Sequence, residues 1–198
     1  MTRRTYAAEL GRVLEPLGFQ PIPTERARER EWTRVHGDWR ETVHLQVSAN
    51  LGTTANLYVR DLALDRLFRE ATGHVQLPEN GVGIGHLIDG YDRWWSRDPN
   101  GPRELAEAIA RHAPAHFAKV IAQRSTIPDA WRTNTREWSW APDLIPLALR
   151  FYKDGDQEEA LRVINRKIGK LTSPSWREIL EKTRRWLESA PAPSVPKS

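Results

Sequence analysis

The chain contains no cysteine, and that single absence removes structural disulfides, thiolate zinc sites and cysteine nucleophiles. Long apolar runs are missing as well. The opening MTRRTYAAELGRVLEPLGF interrupts its apolar residues with Glu9 and Glu15, so neither a secretory signal nor a membrane span is expected. There is no GxGxxG for a dinucleotide and no GxSxG for a serine-hydrolase elbow. A block of like charge is also lacking: thirty Lys and Arg stand against twenty-six Asp and Glu, a net charge of +4, with the two signs interspersed. Phosphate binding depends on a concentrated basic patch. The isoelectric point near 9.6 therefore overstates the case for nucleic acid.

What is present suffices for a domain that needs no covalent staple, since a chain of 198 residues buries roughly 70% of its unfolded surface. Tyr6, Leu10, Val13 and Leu14 fall at helical spacing, and Pro16 and Gly18 in "PLGF" close that helix at about residue 15. "QPIPTERARER" reads as a charged surface link. The period then changes to alternation in "REWTRVHGDWRETVHLQVSANLGTTANLYVRDL", with Gly37–Asp38 and residues 50 to 54 as turns, which predicts a three-stranded antiparallel meander. In the second strand Val43, Leu45 and Val47 point one way and His44, Gln46 and Ser48 the other. One sheet face is therefore buried, with the first helix its nearest cover, and the other is polar. Residues 62 to 72 suit a short helix capped by Asp61.

In "GVGIGHLIDGYDRWWS", residues 81 to 96, apolar residues resume from Val82, and we expect a further strand, or two joined at Asp89–Gly90, with Gly81, Gly83 and Gly85 permitting a bulge or a close backbone approach. Beyond Pro99 the chain reads as helical, with Pro114 breaking or kinking the first segment. After a tryptophan-rich connector holding Trp131, Trp138 and Trp140, three more helices are expected. Asp156 and Glu159 open residues 157 to 171 in the manner of a capping box, and Ser173 and Pro174 start a helix with an inner stripe of Trp176, Ile179, Leu180, Thr183, Trp186 and Leu187. "LALRFYKDGDQEEALRVINR" resembles one tetratricopeptide-like hairpin, and a single copy makes no array.

The fold class is thus α+β: an antiparallel sheet of three to five strands packed by an N-terminal helix, with a C-terminal helical extension. The domain reading is 1–125 for the sheet, 126–190 for helices packed on it, and 191–198 for a disordered tail. The order of "LGF", a strand bearing Trp32 and Arg34, "VHLQVS", "ANLYV", "IGHL" and "DRWW" resembles the bacterial family catalogued as domain of unknown function 4304, over about residues 5 to 125. In that family the second strand carries a glutamine and a serine at the places of Gln46 and Ser48, and a tryptophan pair matches Trp94 and Trp95. The resemblance implies the fold and transfers no catalytic residue. "GVGIG" departs from the family, in which an arginine often precedes the isoleucine-glycine pair.

Candidate chemistry is sparse. His112 and His116 make HxxxH, but Pro114 between them predicts a helix end and restart, so the two rings need not converge, and no carboxylate intervenes to serve as a base. Asp61, Asp65, Asp89 and Asp92 bracket strand ends without a spacing that selects acid–base work. Ser48 and His44 lie four residues apart, roughly 13 Å along a strand, and are too far apart for a nucleophile and its base. The expected reading is a non-catalytic cytoplasmic module without metal or cofactor that binds another protein through its polar strand face and the aromatic connector, in an immunity-like or conflict-system setting. Arg93, Trp94 and Trp95 are the first candidates for binding, since arginine and tryptophan dominate interface hot spots. Two alternatives are a small-ligand binder or enzyme using His44, Gln46, Asn56 and Tyr58 on the polar sheet face, and a nucleic-acid-binding accessory.

Overall fold

A computed structural model describes residues 3–23, 30–74, 81–96, 98–125, 141–168 and 173–191. In chain order the elements are α1 (Arg3–Leu14), β1 (Gln20–Pro23), β2 (Arg30–His36), β3 (Trp39–Ser48), β4 (Gly52–Asp61), α2 (Leu62–Thr72), β5 (Val82–Gly83), α3 (Ile84–Asp89), α4 (Gly101–Ser125), α5 (Ala141–Lys153), α6 (Gln157–Ile168) and α7 (Pro174–Ser189). The five strands form one sheet in the order β1-β2-β3-β4-β5. No helix among the described residues is long and apolar enough to cross a membrane. The chain divides into two compact units, Met1–Arg60 with Asn80–Ala122 and Asp61–Glu79 with Gln123–Ser198.

The first unit holds the sheet, and alternation decides its layers. Val43 and Leu45 of β3, Trp32 of β2, and Ala55, Leu57 and Val59 of β4 enter one core with Tyr6, Leu10 and Leu14 of α1 and Leu105, Ile109 and Phe117 of α4. Each such aliphatic side chain contributes about 1.5–3 kcal/mol on burial. The first helix covers the sheet as expected, ending in a 3₁₀ turn and a left-handed Gly18. Arg34 ties that turn to the sheet: it donates to the Leu17 carbonyl (2.8 Å) and to Glu41 Oε2 (2.9 Å from Nε), and stacks on Phe19 at 4.8 Å. Glu41 is buried and faces Arg34 across the β2–β3 ladder. The pair thus gives a carboxylate a partner where desolvation would otherwise penalise it.

Three expectations are corrected in this unit. "QPIP" is the edge strand β1, antiparallel to β2, rather than a link. Its two prolines leave few edge donors, which suits an outermost strand; residues 24–29 lie outside the described residues. The strand after Gly81 lasts only two residues, and a helix, α3, begins directly at Ile84 instead of a second strand. Gly83 opens and left-handed Gly90 closes that helix, so the alternate apolar residues Ile84 and Ile88 are helix neighbours at i and i+4. Finally, α4 runs unbroken through Pro114. Pro114 is on the exposed side, where the carbonyl that loses its partner can bond to water.

The second unit is helical. Leu64 and Phe68 of α2 join Leu144, Ile145, Ala148 and Phe151 of α5, Val163 and Ile164 of α6, and Leu180 and Leu187 of α7 in a second core. The helix at 62 to 72 therefore groups with the C-terminal helices instead of with the sheet. Asp61 caps α2 by accepting from the Ala63 and Leu64 amides (2.9 and 3.1 Å) and pairs with Arg150 of α5. Asp156 caps α6 through the Glu159 amide (3.0 Å), after a turn in which Gly155 has φ 92°. The capping and the inner stripe of α7 agree with the sequence. The connector with Trp131, Trp138 and Trp140, and the tail from 192, lie outside the described residues.

Gly52 meets two demands at once, a φ of 107° and a backbone so close that an added Cβ would collide with the Trp95 carbonyl oxygen. Gly37, at φ 56°, has nothing within 4 Å of an added Cβ. We expect Gly37→Ala to cost about 1 kcal/mol from backbone conformation alone, and Gly52→Ala to cost about 3 kcal/mol or more. Paired denaturant titrations check the difference; equal losses would contradict the steric account.

Candidate functional site

Two surfaces of the first unit gather the side chains singled out in the sequence. The first is the sheet face turned away from α1 and α4. His44 and Gln46 on β3 share it with Asn56 and Tyr58 on β4: the His44 and Tyr58 rings lie 6.3 Å apart, and Asn56 Nδ2 donates to Gln46 Oε1 at 3.1 Å. Glu31 stands opposite His44, and Ile22 opposite Glu31, so the same face continues across β2 to β1. Val35, opposite Arg40, adds a second exposed aliphatic residue to it; Ile22 and Val35 are 41% and 55% exposed. Tyr58 is braced from below by Gly81, where an added Cβ would lie 2.6 Å from the ring carbon Cζ.

The four polar residues thus do meet, on a pleated surface. Ser48 spends its hydroxyl in the β3–β4 turn, accepting from the Asn50 and Leu51 amides at 3.3 and 3.2 Å. A hydroxyl so used supports a turn.

The second surface is a groove of about 190 Å³ between α4 and the stretch from the end of α3 to Trp95. Ile88, Arg93 and Trp95 form one wall. The Arg93 guanidinium lies 5.1 Å over the Trp95 ring and pairs with Asp89 at 3.2 Å. Trp95 itself is only 4% exposed and belongs to the core of this unit, whereas Trp94 is half-buried. The sequence pair therefore splits: Arg93 is an accessible contact, and Trp95 is principally a packing residue. Glu104, Glu107, Ala108, Arg111 and His112 form the other wall. Their spacing of i, i+3, i+4, i+7 and i+8 is one stripe of α4. That stripe adjoins the buried one of Leu105 and Ile109, and only its neighbour across the groove distinguishes it from an ordinary solvated face.

The groove wall is held by its backbone. Thr53 and Trp95 exchange two hydrogen bonds (3.0 and 2.8 Å), Tyr6 donates to the Ser96 carbonyl, and Asp98 caps α4 through the Asn100 and Gly101 amides at 2.8 and 2.9 Å. The Ser96 hydroxyl, and then the Gly101 and Asn100 amides, hold the Asp98 carboxyl below its ordinary pKa, because each donor favours the charged form.

The remaining candidates disperse. HxxxH lies on one continuous helix, contrary to the expected break, with His112 lining the groove. Among the described residues no group of three or more His, Asp or Glu side chains is placed to hold a metal ion. Asp61 and Asp65 belong to the second unit, while Asp89 and Asp92 belong to the first, where Asp92 lies 3.6 Å from His86 Nε2. No family model, curated protein or solved structure matches the chain.

Trp95→Ala is expected to cost about 3–5 kcal/mol, as for other large core aromatics, while Arg93→Ala leaves the fold within about 1 kcal/mol; thermal unfolding of the two variants checks this. The Asp98 cap acts in full above the ordinary carboxylate range and is lost as pH falls through its depressed pKa. Carboxyl-selective NMR titration should place the Asp98 midpoint below about 3.9; a midpoint above it would contradict the capping geometry.

Proposed function

We propose that this chain is a non-catalytic module that binds another protein through the open face of its sheet, from Ile22 on β1 to Tyr58 on β4. The observation that carries the reading is the combination on one pleated face of exposed Ile22 and Val35 with the His44–Tyr58 and Gln46–Asn56 pairs. Exposed apolar and aromatic groups on one face resemble the central composition of protein interfaces, with Glu31 and Arg40 standing opposite Ile22 and Val35. Internal pairing of Gln46 with Asn56 also limits the cost of ordering those side chains on binding. Nucleic acid is a poorer fit, since the same face mixes Arg40 with Glu31 and offers no continuous track for phosphates. The resemblance to the unknown-function family 4304 is compatible with this reading and assigns it no partner.

The test is co-purification from the native host with three tagged forms: wild type, Val35→Asp with Gln46→Arg, and Arg103→Gln as an exposed control on α4. A stoichiometric protein retained by the wild type and the control, and lost by the sheet variant while circular dichroism stays native, supports the proposal. Retention by all three would move the interface off the sheet. Retention of no macromolecule by any of them would overturn it.

A further inference from the structure

The groove beside Trp95 poses a separate electrostatic problem. Among the described residues Glu104 and Arg111 have neither an ion pair nor a side-chain hydrogen bond, although both line it. They stand seven residues apart on α4, about 10 Å along the axis, which is too far for them to neutralise each other. Glu107, one turn from each, is engaged only by a long contact to Arg103 (3.8 Å) in which both partners are well exposed. On the facing wall Arg93 is already oriented by Asp89 and by the Trp95 ring. Along α4 the lining therefore runs from acidic, at Glu104 and Glu107, to basic, at Arg111, with Ala108 between them and Ile88, Arg93 and Trp95 on the facing wall.

Such a lining selects by charge arrangement. Glu104 and Glu107 repel a simple anion, and Arg93 and Arg111 repel a simple cation. A molecule carrying both charges at its two ends meets complementary groups at both. The space of about 190 Å³ admits a small molecule and no folded partner. Two extended residues span about 7 Å, and the side chains of Glu104 and Arg111 bridge the remainder.

We propose that this groove binds a short zwitterionic peptide or an amino acid of comparable size, with its ammonium between Glu104 and Glu107, its carboxylate on Arg111 and Arg93, and an apolar side chain against Ile88, Ala108 and Trp95. The occupant is small because the space is only about 190 Å³, and because the wall behind Arg93 is backbone pressed against α3. At Gly85 an added Cβ would collide with the Arg93 amide nitrogen. The site is independent of the open sheet face.

Isothermal titration calorimetry of the full chain with glycyl-L-leucine tests the proposal, with N-acetyl-L-leucine amide as the analogue that lacks both charges. Saturable binding is expected for the dipeptide with a Kd of roughly 1 mM or tighter. The neutral analogue should bind at least about tenfold more weakly, and Glu104→Gln and Arg111→Gln should each lower affinity about tenfold, the equivalent of one lost charge contact. Both substituted positions are exposed, so the variants retain the fold; matching unfolding curves verify that. Absence of saturable heat up to about 10 mM, equal affinity for the neutral analogue, or affinity unchanged in both variants would each overturn the assignment.

Discussion

Two backbone hydrogen bonds between Thr53 and Trp95, 3.0 and 2.8 Å long, organise the first unit. They dock an otherwise irregular segment on the start of β4, and everything near it takes its position from that contact. The Trp95 side chain turns into the core, which leaves Arg93 stacked over its ring. One residue later the Ser96 carbonyl receives Tyr6 from α1. Two residues beyond that, Asp98 starts α4. A short stretch of backbone thus couples a strand and two helices, and it tolerates no side chain at Gly52 or Gly101, where an added Cβ would strike Trp95 or Ser96. The neighbouring glycines, having no Cβ, let the chain approach this closely.

The second unit has a different keystone. Asp61 is buried at the end of β4, and its carboxylate serves both the α2 amides and Arg150 of α5. A single carboxylate that caps one helix and pairs with another sets the start of α2 and its facing partner together. Burying it without both kinds of partner would cost several kcal/mol.

Functional reading follows from what these two anchors leave uncovered. The sheet offers its even-numbered β3 and β4 positions as a pleated surface, where amide and aromatic groups are already paired. The groove offers Glu104 and Arg111, which are not. Paired groups suit a broad partner that displaces water over an area, whereas unpaired opposite charges in a confined space suit a small dipolar one. The two surfaces differ in the state of their polar groups more than in their composition.

Much of this was legible in the order of residues. Alternation in β3 and β4 placed His44, Gln46, Asn56 and Tyr58 on one face and Val43, Leu45 and Leu57 on the other, because a pleat has a period of two whatever surrounds it. Caps at Asp61 and Asp156 were legible for the same reason: they satisfy amides within three residues. The role of "GVGIGHLIDGYDRWWS" was not, since Ile84 and Ile88 fit a strand or a helix equally over so short a run, and the partner of Trp95 at its end, Thr53, is about forty positions away. Likewise α4 shows a solvated stripe of Glu104, Glu107 and Arg111 until Arg93 is brought opposite it. Periodicity and capping are local physics and reside in the sequence; burial of Trp95, continuity of α4 through Pro114 and the facing of two charged walls depend on non-local contacts, which exist only once the chain has packed.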